Sequence, residues 1–70
     1  MRRVPVESEA MNSVGYDPKA RVLEIEFNQG EVYRYFDVPC SLHAGLMAAE
    51  SHGEYFTRNI RDVFAFEHLD

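Results

Sequence analysis

Three histidines, His43, His52 and His68, stand in the same stretch of chain as the carboxylates Glu50 and Glu54, residue types that bind divalent metals. Their spacing does not suit a site: none pairs with another ligand at H-x-x-x-H or H-x-x-E-H separation, and solvated histidines near helix ends are the simpler reading. Cys40 and His43 are three residues apart at a predicted helix start, where the helix dipole lowers a thiol pKa and an imidazole one turn on can face it. No glycine-rich elbow or orienting Asn or Asp accompanies them, so Cys40 reads as a half-buried apolar residue rather than a nucleophile. Glu24 and Glu26 share a strand face at roughly 7 Å, superficially a carboxylate pair for acid/base work. With no apolar pocket to raise one pKa both stay ionised, and an exposed charged strand face accounts for them. Gly15, Gly30, Gly45 and Gly53 match neither G-x-G-x-x-G nor P-loop spacing. Gly45, inside a helical pattern, reads as a point of close backbone packing. No catalytic residue, metal site or cofactor is predicted.

The remaining signal is aromatic residues interleaved with arginines: Tyr33-Arg34-Tyr35-Phe36, and Tyr55-Phe56-x-Arg58-x-x-Arg61. Rings exposed on a sheet stack unpaired bases while arginines meet phosphates. Tyr33 and Tyr35 either fill the core or form such a platform. Core placement is favoured, because the alternative buries Arg34, a charge with no evident partner, at a cost of several kcal/mol. Arg34, Phe36, Arg58 and Arg61 are then the predicted exposed contacts to RNA.

These residues need elements to hold them. Ser8 is placed to cap a single helical turn through Met11, and Val14-Gly15-Tyr16 reads as a strand. Asp17-Pro18-Lys19-Ala20 is a turn. From Arg21 to Phe27 the chain alternates, with Leu23, Ile25 and Phe27 on one face and Val22, Glu24 and Glu26 on the other. Asn28-Gln29-Gly30 closes a hairpin to a second strand, Glu31 to Val38. Pro39 suits the first position of a helix running to Ala49, with Leu42, Leu46 and Ala49 as its apolar stripe. Ser51-His52-Gly53-Glu54 has capping-box form and opens a second helix, whose inward residues are Phe56, Ile60 and Val63. Phe64-Ala65-Phe66 is a short extended tail. The order β-β-β-α-α predicts an α+β domain: a three-stranded antiparallel sheet with two short helices packed on one face.

Seventy residues make one small domain, 1–70, with one core and little room for a substrate cavity. Hydrophobic content of 46% is enough for folding, and a net charge of -5 opposes non-specific binding to phosphate backbones. The single cysteine excludes an internal disulfide and, with no apolar run, indicates a cytoplasmic protein without a membrane partner.

Val14-Gly15-Tyr16-Asp17, Tyr33-Arg34-Tyr35 with Phe36-Asp37-Val38-Pro39, and Gly53-x-Tyr55-Phe56-x-x-x-Ile60-Arg61 together resemble the KTSC domain. The likeness runs from about Val4 to Phe66. That family occurs at the C-terminus of some lysyl-tRNA synthetases and as small bacterial proteins. The resemblance implies a non-catalytic module that binds RNA or tRNA, and its Tyr-x-Tyr motif falls on Tyr33 and Tyr35. The acidic balance and a surplus of aromatics support the alternative, a protein-interaction module or small homo-oligomer with Phe36, Phe64 and Phe66 in an exposed apolar patch.

Overall fold

The computed structural model describes residues 1–69. Its elements are β1 (Arg3–Pro5), β2 (Met11–Asp17), β3 (Val22–Phe27), β4 (Val32–Tyr35), α1 (Cys40–Ala48), α2 (His52–Asn59) and β5 (Phe66–Leu69). The strands form one antiparallel sheet in the order β1-β2-β3-β4-β5, and β5 returns after both helices to pair with β4.

The class is α+β, but the sheet has five strands and not the three expected from sequence. Each missing piece lacks a clean period-2 signal. β1 is three residues long and holds Pro5, which an edge strand tolerates because one side of it needs no donor. β2 starts at Met11 rather than Val14, and a bulge between Met11 and Ser13 breaks the alternation. Ser8 caps no helix; its hydroxyl accepts from the Ala10 N–H at 3.0 Å in a local turn before β2. β5 incorporates Glu67 and His68, which look like a polar tail until β4 pairs with them.

Elsewhere the local chemistry acts as expected. The Asp17 carboxylate accepts from the N–H groups of Lys19 and Ala20 at 3.0 and 3.2 Å, and Gly30 supplies φ +92° in the β3–β4 turn. β4 stops at Tyr35, short of the expected Val38, because Asp37 takes φ +59° and swings the chain so that Val38 enters the core. Val38 donates its N–H to the Arg21 carbonyl at 2.9 Å, while Tyr16 Oη donates to the Val38 carbonyl at 2.5 Å. Pro39 is the N-cap of α1. Ser51 caps α2 by accepting from the Glu54 N–H at 3.2 Å. The Glu54 carboxylate does not return to Ser51; it reaches Arg58 one turn on at 3.4 Å.

The core lies between the helices and one sheet face: Met11, Val14, Leu23, Ile25, Val38, Leu46 and Ile60 are all but sealed from solvent, with Tyr35 and Phe56 close behind. Fully burying one such aliphatic side chain is worth about 1.5–3 kcal/mol. Val63 lies outside the core and is exposed. α1 and α2 meet where Gly45 faces Tyr55, and a Cβ at Gly45 would collide with the Tyr55 ring.

The other sheet face has no layer over it. Register lines up Arg3, Gly15, Glu24, Arg34 and Glu67 in one row across all five strands. Gly15 leaves the gap over which Arg3 reaches Glu24, at 3.1 Å, while Arg34 binds the same carboxylate at 2.8 Å from the other side. Glu24 is therefore only 7% exposed, not part of an open charged face, and Glu26 accepts from Ser13 Oγ at 3.1 Å. Glu24→Ala is expected to lower stability by about 1–2 kcal/mol, since the arginines stay partly solvated. Hydrogen exchange will locate the effect: amides of the β1–β2 ladder should lose protection more than those of β3–β4. Equal loss throughout would mean that Glu24 does not anchor β1.

Candidate functional site: an aromatic groove between helix and sheet

The helix-facing side of the sheet carries two aromatic rows. Val4, Val14, Ile25, Tyr33 and His68 align in one, and Tyr16, Leu23, Tyr35 and Phe66 in the other. At the β2 end of the second row Tyr16 stacks on His43 of α1 with ring centroids 4.6 Å apart, while Val4 at the β1 end of the first stays exposed. Burial lowers the His43 pKa and raises that of Tyr16, which favours the neutral form of each. Toward β5 the cover stops at α2. Phe56 meets Phe27 and Tyr35 edge-on at 5.4 and 5.3 Å, and past it the sheet opens to solvent.

The result is a groove of about 510 Å³ between α2 and β4–β5, with Phe27, Tyr33, Tyr35, Phe56 and Phe66 as its aromatic lining and Arg61 and Asp62 at one end. Tyr33 is held from both sides, edge-on to Phe27 at 5.8 Å and stacked on His68 at 4.6 Å. Phe66 is 59% exposed. Tyr35 lies deepest; burial, then the neighbouring Tyr33, push its pKa up to about 12. Ala10 and Gly53 also line an adjoining hollow of about 490 Å³ that contains Glu7, Glu9 and Glu50.

The residues singled out in the sequence do not converge. Tyr33 and Tyr35 do face the helices, with Tyr35 in the core and Tyr33 half-buried over the groove. Arg34 lies on the opposite sheet face, tied to Glu24; Phe36 follows on the bend after β4, half-buried. Arg58 is exposed and paired with Glu54, while Arg61 lines the groove. Phe64 packs against the core, leaving Phe66 as the exposed ring. Sequence reasoning missed Glu7 and Glu9 and weighed Glu50 only beside the histidines, since nothing in their spacing hints that the turn after β1 meets the α1–α2 connection.

Among the described residues no group of three or more His, Cys, Asp or Glu is placed to hold a metal, and no helix is long and apolar enough to cross a membrane. The histidines are engaged separately. His52 Nδ1 donates to the Leu46 carbonyl at 2.7 Å, while His43 and His68 stack on tyrosines.

A meander sheet with a helical pair after its fourth strand and a groove at its open side defines a small α+β domain. The KTSC domain family matches residues 7–64, and this chain belongs to that family. A KTSC domain protein from Yersinia pestis has a crystal structure that superposes with a TM-score of 0.93 at 40% identity, covering 99% of this chain and 97% of that one. An uncharacterised protein of Stutzerimonas stutzeri is 41% identical over 58 residues, 83% of this chain and 82% of its own length. A lysine–tRNA ligase of Nostoc punctiforme is 40% identical over 63 residues, 90% of this chain but 11% of the ligase. The similarity is thus to bacterial proteins, some of them far longer than this chain.

Because burial raises the Tyr35 pKa above its ordinary 10.0, the neutral phenol stabilises the fold fully below pH 10, and that contribution is lost as pH climbs through 12. Denaturant unfolding at about pH 8, 10 and 12 should show a steeper alkaline loss in the wild type than in Tyr35→Phe. Identical profiles would mean that this phenol is not desolvated.

Proposed function

We propose that the domain is a non-catalytic cytoplasmic module that holds a segment of a partner protein in the aromatic groove. One observation carries this: five aromatic side chains, the exposed Phe66 among them, line an open groove of about 510 Å³. Aromatic-lined grooves with few polar groups take apolar anchors from peptides. The lone cysteine supports a reducing compartment.

A second reading, binding of RNA or tRNA, is favoured by the similarity to a lysine–tRNA ligase and by the exposed Phe66, on which a base can stack. Electrostatics weigh against it. The chain carries -5, Arg34 is neutralised on the far face of the sheet, and Arg61 sits beside Asp62.

Amide-shift titrations separate the two. A blocked Gly-Trp-Gly tripeptide is expected to shift Ala10, Gly53, Thr57 and Phe66, weakly and saturably, and the shifts should persist at about 0.5 M salt. Bulk tRNA at low salt is expected to leave those amides unmoved. Salt-sensitive tRNA shifts on Arg58, Arg61 and Phe66, with no response to the tripeptide, would overturn the protein reading in favour of the nucleic-acid one.

A further inference from the structure

The aromatic groove does not end at α2. Ala10 and Gly53 line both it and the second hollow, so the two adjoin across a shared rim as halves of one surface channel. Its halves differ in chemistry. One is aromatic, with Arg61 and Asp62 offsetting each other at its end; the other carries Glu7, Glu9 and Glu50, and no lysine or arginine lines it among the described residues. All three of these glutamates are exposed and form no ion pair among the described residues. The one basic-type ring in that half, His52, spends Nδ1 on the Leu46 carbonyl.

Three exposed carboxylates without counter-charges give this half of the surface a negative sign that a cationic side chain can answer. The open sheet face shows the contrast, because there each carboxylate nearest the centre is answered, Glu24 by two arginines and Glu26 by Ser13. In the channel, by contrast, unpaired negative charge adjoins uncovered aromatic surface. The molecule is 27 × 26 × 23 Å, so an extended segment crossing it fits about seven residues at roughly 3.3 Å each.

We propose that the channel recognises an extended segment of a partner protein with a bipartite sequence: an aromatic or long apolar side chain between Tyr33, Phe56 and Phe66, and lysines or arginines some three to five residues away against Glu7, Glu9 and Glu50. This rests on the protein-binding reading of the groove and adds the chemistry of its ligand. Gly53 lies on the rim the two halves share, where an added Cβ would press on Ala10 at 3.0 Å, so no side chain at this position rises between them.

The test uses three labelled eight-residue peptides, each with one Trp near one end and three lysines, three serines or three glutamates in the other half, made in both chain directions. Fluorescence polarisation is expected to rank lysine above serine above glutamate, with lysine about tenfold tighter than serine at low salt, three exposed ion pairs' worth. The lysine advantage should shrink at about 0.5 M salt. In the triple variant Glu7→Gln, Glu9→Gln, Glu50→Gln it should vanish, while affinity for the serine peptide stays as in wild type. Amide shifts in the wild type give an independent reading: the lysine peptide should move Glu7, Glu9 and Glu50, and the serine peptide should not. Equal binding of lysine and serine peptides, or a lysine advantage that survives the triple variant, overturns the bipartite ligand but leaves the aromatic groove as a binding site. No binding by any Trp peptide, or concentration-dependent groove shifts without peptide that signal a second copy there, overturns both.

Discussion

Glu24 lies on a sheet face with no second layer, yet it is nearly sealed, because Arg3 and Arg34 close over its carboxylate from neighbouring positions in one cross-strand row. Side chains alternate along a strand, so this row decides which residues face the other way. A one-residue slip of β4 would turn Arg34 into the helix interface and Tyr33 and Tyr35 out to solvent. Desolvating an unpaired guanidinium there costs several kcal/mol, while the two tyrosines would lose their contacts with Phe27 and Phe56. The ion-pair row and the aromatic rows are thus two sides of one register. Arg3 adds β1 to the arrangement, which a three-residue strand containing a proline would hold weakly by ladder hydrogen bonds alone.

Given that register, the groove follows from the size of the helical layer. Five strands spaced about 4.8 Å apart present a face some 19 Å wide, and helices of 9 and 8 residues extend only about 13 and 12 Å. α1 is drawn to the β2 side by the Tyr16–His43 stack, and α2 packs Phe56 between Phe27 and Tyr35. The contact of Gly45 with Tyr55 pulls α2 toward α1 and so away from β5. β5 receives no helix of its own. Its Phe66 and the outer edge of Tyr33 are left over the opening, braced by His68 rather than buried.

Much of this was legible in the sequence, and the rest was hidden for identifiable reasons. The alternation Leu23-Ile25-Phe27, the Asp17 turn, the Gly30 hairpin and the Ser51 cap are local chemistry, and each forms as its residues dictate. The inward placement of Tyr33 and Tyr35 was also readable, though from a premise that the structure corrects: Arg34 faces outward toward a partner, not outward for lack of one. That partner was invisible because Arg3, Glu24 and Arg34 meet only through a register spanning three strand pairs. β1 and β5 were missed since short edge strands with Pro5 or with Glu67 and His68 owe their conformation to the neighbour they pair with. The groove was half visible: Phe27, Tyr33, Tyr35 and Phe56 were expected to face inward and Phe66 outward, and its glutamates are brought together only by the fold.

The distribution of answered and unanswered groups separates the two faces of the domain. On the open sheet face the charges alternate along the row from Arg3 through Glu24 and Arg34 to Glu67, so a ligand arriving there must break ion pairs before it gains any. Arg34, the cation inside the Tyr-x-Tyr motif in sequence, is already bound to Glu24 at 2.8 Å and faces away from the groove. On the helix side the reverse holds: Phe66 and Tyr33 retain apolar surface in contact with water, and Glu7, Glu9 and Glu50 face a hollow without counter-charges among the described residues. Covering that surface releases water from rings already held in place by stacking, so little side-chain entropy is lost on binding. Both the apolar driving force and the unspent charge therefore sit on the same side of the sheet, and the sign of that charge selects a cationic ligand over a polyanion.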